Sequence, residues 1–194
     1  MTKSTDNTEG SLTEEQKDIL LGVLLGDGAM RKKTQALLEI NHSIKQKEYV
    51  DWLYQKFKNY VGTEPKIRKS NGNRIAYRFT TKSLPQFTQY YDFFFTQKRK
   101  HVPFSLIIKP LTLAIWYMDD GSRCDTDIYL NSQQFSQVEQ EFLVNLLNQQ
   151  YEIKSSLNRD KKYWRIRIKK ESVMTFMNLI SPYIIPTMRY KLLL

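Results

Sequence analysis

The sequence predicts a mixed α+β fold built twice from one plan, and three observations carry that expectation. Two apolar runs, Ile19 to Leu25 and Leu111 to Met118, each lead into an acidic turn, Gly26-Asp27-Gly28 and Asp119-Asp120-Gly121. The copies lie about half a chain length apart in 194 residues, the mark of an internal duplication. Around them, stretches of period 2 and period 3.6 alternate in the same order in each half.

A helix that is apolar on every side must be buried on every side. The two runs therefore belong at the centre of the molecule, each delivering an aspartate from its C-terminal end. That end of a helix carries partial negative charge, so an acid there needs a cation beside it, a lysine or a metal ion. One Asp-Gly after an apolar run is ordinary turn chemistry. Its repetition is what turns Asp27 and Asp120 into candidates for chemistry.

The remaining elements follow in order. Residues 36–41 read as a strand and 49–61 as a helix. Residues 66–70 and 74–81 read as two strands joined at Asn71-Gly72, a strong hairpin signal. An aromatic helix over 84–95 closes the first half, followed by Lys98-Arg99-Lys100-His101-Val102-Pro103. In the second half, 127–133 reads as a strand, 138–151 as a helix, 153–157 and 163–169 as a hairpin across Asn158 to Lys161, and 172–180 as a helix. One more strand is expected just after each acidic motif. Overlapping boxes, Ser11 with Glu14 and Thr13 with Gln16, offer the N-cap of the first helix. Residues 1–10 are polar and expected to be disordered, leaving subdomains at 11–105 and 106–194.

On these residues the chain resembles a known family. Leu20-Leu21-Gly22-Val23-Leu24-Leu25-Gly26-Asp27-Gly28 and Leu113-Ala114-Ile115-Trp116-Tyr117-Met118-Asp119-Asp120-Gly121 are similar to the two signature motifs of single-chain LAGLIDADG homing endonucleases. The likeness spans roughly residues 12–194. The Ile-Trp-Tyr-Met-Asp-Asp-Gly form and the closing Pro186-x-Met188-x-Tyr190-Lys191-Leu192 are similar to the branch that includes yeast mitochondrial intron endonucleases. Leu25 and Met118 replace the motif's first Asp, and Ile115 its first Gly, which predicts a looser helix contact near Gly22. The resemblance implies two pseudo-symmetric αββαββα subdomains, motif helices packed at their interface, and saddle-shaped antiparallel sheets facing DNA.

The charge balance agrees with a nucleic-acid partner. Thirty Lys and Arg against twenty Asp and Glu give +10 and a pI near 9.5. Residues 66–82 hold Lys66, Arg68, Lys69, Arg74, Arg78 and Lys82 with no acid. Residues 154–170 hold Lys154, Arg159, Lys161, Lys162, Arg165, Arg167, Lys169 and Lys170 against Asp160 alone. In a strand, residues two apart share a face, which groups Lys66 with Arg68 and Ser70, and Arg165 with Arg167 and Lys169. One basic hairpin would read as a solvated outer face. Two equivalent ones beside two equivalent acids point to sheets lying in major grooves, where Arg, Lys, Asn and Gln read base edges. Arg31, Lys33 and Asn73 complete the expected DNA contacts.

Several classes are excluded. One cysteine, Cys124, forms no internal disulfide, and His42 and His101 are too few for a zinc cluster. No apolar run reaches the about 20 residues that span a bilayer, and no signal-peptide core is present. A soluble, intracellular protein is expected, with an organellar setting hinted at by the abundance of Lys, Asn, Tyr, Phe and Ile.

The resemblance also implies the site. Asp27 and Asp120 would bind Mg2+, two or more ions at the pseudo-twofold centre, helped by the carbonyls of Gly26 and Asp119. Lys100 and Lys191 would polarise water or the scissile phosphate, with Gln133 a further candidate; Lys100, in a basic run, also suits a plain phosphate contact. The expected protein is a monomeric endonuclease on a duplex of about 20 base pairs. The rival on the same fold is a maturase that binds its host intron RNA, or a non-cleaving DNA-binding protein.

Overall fold

In the computed structural model, which describes residues 10–69 and 74–192, both halves carry the same succession of elements. The first has α1 (Glu14–Leu25), β1 (Ala29–Lys32), β2 (Ala36–Ser43), α2 (Lys47–Phe57), β3 (Lys66–Lys69), β4 (Ile75–Thr80), α3 (Pro85–Phe94) and a short hairpin, β5 (Phe95–Thr96) with β6 (Arg99–Lys100). The second has α4 (Pro110–Asp120), β7 (Gly121–Cys124), β8 (Asp127–Leu130), α5 (Gln137–Tyr151), β9 (Ser155–Asp160), β10 (Tyr163–Ile168) and α6 (Val173–Ile180). A 3-10 segment, Pro186–Lys191, follows. The sheets are antiparallel with matching orders, β1-β2-β4-β3 and β7-β8-β10-β9. The duplicated α+β plan is therefore present.

Local chemistry accounts for the boundaries. Of the two boxes that could start α1, the Thr13 box forms: its hydroxyl accepts the Gln16 N–H, and the Gln16 side chain accepts the Thr13 N–H. Ser136 and Glu139 cap α5 in the same way. Pro110 opens α4, where the first turn needs no N–H. The helix expected over 49–61 is α2, which stops at Phe57, and residues 58–60 continue as a 3-10 turn.

Two strand expectations change. The strand expected over 127–133 ends at Leu130, because Ser132 Oγ donates to Gln140 Oε1 and the chain turns toward α5. The second hairpin turns at Lys161-Lys162, with Lys161 at φ 55, rather than across Asn158 to Lys161. Pairing of Asn158 with Arg165 and of Asp160 with Tyr163 carries β9 that far. Asn71-Gly72 lies outside the described residues, as does nearly all of the expected N-terminal tail, though β3 and β4 do pair antiparallel.

The core centres on α1 and α4. Ile19, Leu20, Leu24, Leu113, Trp116 and Tyr117 are fully buried, as apolar-all-round helices require. The helices pack closely at the glycines of α1 and its cap. A Cβ added to Gly22 would lie 2.5 Å from Ile115 Cβ and 2.7 Å from the Thr112 carbonyl oxygen. The contact expected to loosen there is tight: the single glycine makes room for the isoleucine.

Candidate active site and nucleic-acid interface

The two acids emerge differently. Asp120 is the last helical residue of α4, whereas α1 ends at Leu25 and Asp27 lies beyond the Gly26 cap. The Asp27 side chain is 54% exposed. Asp120 is more enclosed: burial raises its carboxyl to about 8, with the charges of Asp27 and Asp119 adding to the effect.

Each helix end also receives the cation that its partial charge calls for. Lys100 Nζ donates to the Gly26 carbonyl at 2.8 Å, and Lys191 Nζ to the Met118 carbonyl at 2.5 Å. Lys100 is aimed by the β5–β6 hairpin, whose turn places Gln97 and Lys98 at positive φ, the backbone a tight two-residue hairpin demands. Lys191 is aimed by the C-terminal 3-10 segment. The Tyr117 hydroxyl donates to the Lys191 carbonyl at 2.7 Å, and Arg123 to the Leu192 carbonyl at 2.9 Å. Desolvation lowers both ammonium groups, Lys100 to about 8.

Gln133 and the Gly26 carbonyl have other partners than expected. The Gln133 amide donates to Asp160 Oδ2 at 3.0 Å, and its neighbour Gln134 reaches the motif instead, donating to the carbonyls of Leu25 (3.0 Å) and Gly26 (3.1 Å). The Gly26 oxygen thus already accepts from Lys100 and Gln134.

Behind the exposed acid lies a buried polar group made by His42, which the sequence did not single out for the site, and by the side chain of Asp119, which was expected to act through its carbonyl. The Asp119 side chain is fully buried, and its Oδ2 accepts the Asp27 N–H at 3.2 Å. His42 reaches it from β2 on the core side of the sheet, with Nε2 3.7 Å from Asp119 Oδ1 and Nδ1 3.8 Å from Asp27 Oδ2. The Tyr49 ring meets the His42 ring edge-on at 5.4 Å. The Tyr49 hydroxyl and Asp119 Oδ1 are both buried without an aligned hydrogen bond, while the phenol's proximity still favours the Asp119 carboxylate. Burial dominates, raising Asp119 to about 7, keeping Tyr49 well above its usual range and lowering His42. His42 follows the apolar alternation of β2, and that polar break in an inward-facing row was the available signal.

The basic residues occupy the opposite, outward face. Register places Lys66 and Arg68 of β3 beside Arg78 of β4, and Arg165 and Arg167 of β10 beside Asn158 and Ser156 of β9. Lys33, Lys66, Arg68, Arg74, Lys154, Arg159, Lys161 and Lys169 are exposed. Three arginines among the described residues hold carboxylate partners: Arg31 with Glu39 at 2.7 Å, Arg78 with Glu39 at 3.7 Å, and Arg167 with Asp127 at 2.7 Å. Arg165 stacks on Tyr129, 3.8 Å from the ring centroid. Ser70 and Asn73 lie outside the described residues.

A doubled αββαββα plan, with paired acids where two buried helices cross, is the architecture of the LAGLIDADG proteins. A profile of the LAGLIDADG DNA endonuclease family matches residues 17–176, and the chain belongs to that family. The probable intron-encoded endonuclease 1 of Wickerhamomyces canadensis is 31% identical over 94% of this chain and 86% of its own length. The cytochrome b mRNA maturase bI2 of Saccharomyces cerevisiae is 29% identical over 98% of this chain, which spans half of that protein. Among solved structures, the homing endonuclease I-WcaI bound to its DNA recognition sequence superposes with a TM-score of 0.89 at 31% identity, covering 94% of this chain and 88% of that one. I-DmoI in complex with DNA and Mn shares the fold, with a TM-score of 0.56 at 15% identity over 84% and 94% of the two chains.

Proposed function

We propose that this chain is a site-specific, double-strand DNA endonuclease of homing type that depends on Mg2+. The observation that carries this reading is the meeting of Asp27 and Asp120 at the helix crossing, each half bringing one lysine to the end of its own motif helix. The chemistry of the donors fits a hard divalent ion. The negative charges of Asp27 and Asp119 add to burial in raising Asp120, an unfavourable balance that a cation would relieve. Among the described residues no three His, Cys, Asp or Glu side chains converge on one point. An ion held by few carboxylates, with substrate phosphate completing its shell, suits Mg2+.

Asp27 and Asp120 would hold the ion, which when bound supplies charge stabilisation and an activated water for phosphodiester hydrolysis. Lys100, lowered to about 8, can hold or release a proton near neutral pH and so orient water or neutralise a phosphate oxygen. Lys191, also lowered by desolvation, would set its ammonium beside the acid of the other half. The two basic sheet faces would seat a duplex of about 20 base pairs by phosphate contacts and read bases with unpaired arginines. One covalent chain supplies both halves, consistent with action as a monomer. No helix among the described residues is long and apolar enough to cross a membrane.

The test is a randomised duplex library treated with protein and Mg2+, with the cut ends sequenced to recover the target. On that target, Asp27→Asn and Asp120→Asn preserve shape and remove one charge each, so each should reduce double-strand cleavage severely while binding survives. Full cleavage by either variant refutes the assignment. The similarity to bI2 favours a second reading, a maturase. Selective binding to structured intron RNA, with no cut duplex recovered, would put that reading first.

A further inference from the structure

Building on the reading of Asp27 and Asp120 as the ion-binding acids, we propose that His42 and the Asp119 carboxylate are positioning residues that hold Asp27 and have no counterpart at Asp120, which makes the two halves unequal and the two strand cuts unequal in rate. The argument starts from register. Asp27-Gly28-Ala29 corresponds to Asp120-Gly121-Ser122, and Ala29 pairs with Glu39 as Ser122 pairs with Tyr129. Three residues beyond those partners stand His42 and Ser132. One residue before the acids stand Gly26 and Asp119. The equivalents of the Asp119 and His42 pair are therefore a glycine and a serine.

Neither equivalent can do for Asp120 what the pair does for Asp27. Gly26 has no side chain, and the buried Ser132 hydroxyl is committed to Gln140 Oε1 at 2.8 Å. Asp27, in contrast, has its backbone N–H held by Asp119 Oδ2 at 3.2 Å. Its carboxylate lies 3.8 Å from an imidazole whose other nitrogen is 3.7 Å from Asp119 Oδ1. Those separations are longer than hydrogen bonds, and such contacts in substrate-free sites commonly tighten when the reacting complex forms. The ring is held in place meanwhile: His42 is 5% exposed and Tyr49 packs edge-on against it.

The inequality is enforced by space. A Cβ at Gly26 would sit 2.4 Å from Asp119 Cβ and 2.6 Å from Asp119 Oδ2, so the crossing admits a carboxylate from one helix only. Keeping it is costly, because Asp119 Oδ1 is buried with no hydrogen-bond partner. An alanine would serve helix packing better. A local rule broken in the core beside an active-site acid is the pattern expected of a group retained for function. Partners that orient ion-binding side chains are worth about 10- to 100-fold in metal affinity or activity.

The experiment uses the full chain and its selected target, with each strand labelled separately. His42→Ser and Asp119→Gly give Asp27 the surroundings that Asp120 already has. Both should slow one and the same strand by about 10- to 100-fold and the other by less, so that nicked duplex accumulates. Calcium titrated calorimetrically into the protein–duplex complex reads the same effect without turnover, as an affinity weakened about tenfold for one bound ion. Equal slowing of both strands, or an unchanged calcium isotherm, overturns the proposal. Should the small replacements fail to fold, Asp119→Asn keeps the side-chain shape and must show the same strand bias. Failure of the underlying reading is seen separately, as full cleavage by Asp27→Asn in the same assay.

Discussion

Gly22→Ala is the most direct perturbation of the helix crossing. The added methyl would meet Ile115 Cβ at 2.5 Å, Thr112 O at 2.7 Å and Ile115 Cγ2 at 2.8 Å, all inside contact distance. Ile115 has a β-branched, stiff χ1, and Thr112 O belongs to the α4 backbone, so neither can swing aside. Overpacking of this kind costs about 1–3 kcal/mol, and a backbone obstacle places this variant near about 3 kcal/mol. For a chain of this size each kcal/mol lowers Tm by about 2–4 °C, giving a fall of about 6–12 °C. Relief requires α1 to move away from α4, carrying Asp27 from Asp120, and a displacement of about 1 Å costs about 100-fold in rate. Denaturant unfolding and target cleavage measure the two effects. Combining Gly22→Ala with Ile115→Gly removes two of the three contacts, so the double-mutant cycle should return a favourable coupling of about 1–2 kcal/mol. Wild-type stability in the single variant, or additivity in the pair, would refute the claim that this contact sets the separation of the acids.

The pH dependence of the metal-free protein follows from its buried carboxyls. Burial raises Asp119 to about 7 and Asp120 to about 8, so the folded state keeps protons that the unfolded chain has released above about 4, and stability falls as pH rises through this window. Lys100, lowered to about 8, works the other way above that pH, where the unfolded chain binds more protons. Chemical denaturation should therefore show a loss of about 2 kcal/mol between pH 6.5 and 8, absent from an Asp119→Ala/Asp120→Ala double variant; a flat profile in the parent protein contradicts the burial of these acids. Replacing Lys66, Arg68, Arg165 and Arg167 by Ala should lower the slope of log K against log salt by about 3, less than the about 0.9 per phosphate contact would give for four free cations, because Arg167 is already paired with Asp127. An unchanged slope in binding titrations would remove these strands from the interface.

The duplicated plan was legible because its signals are local and repeated. Buried helices, Asp-Gly turns and basic hairpins each follow from residues close in sequence, and the structure sets both sheets in the same order. The cations expected at the helix ends are present, since a C-terminal partial charge is a property of any helix. What escaped the sequence depends on contacts across the halves. Ile115 in place of a glycine suggested a gap, but only the opposing position shows that Gly22 fills its role. Gln133 and Gln134 are indistinguishable by type, and the turn after β8 decides which one reaches Gly26. Asp119 drew notice for its carbonyl, while its side chain meets Asp27 from the other helix. His42 reads as one polar residue in an apolar row until the fold sets it between two carboxylates.

The ion pairs on the outward sheet face bear on how the protein would search a genome. Glu39 shares itself between Arg31 and Arg78, and Asp127 occupies Arg167, so at these three positions a passing duplex meets arginines whose charge is already answered. A sequence that offers only phosphates must compete with those carboxylates for each guanidinium, and it gains little by winning. A target that also offers a guanine edge or a fitted groove tips the exchange. At these three positions the pairing would weaken attachment to phosphates alone, which matters when a single site is hidden among about a million or more competitors.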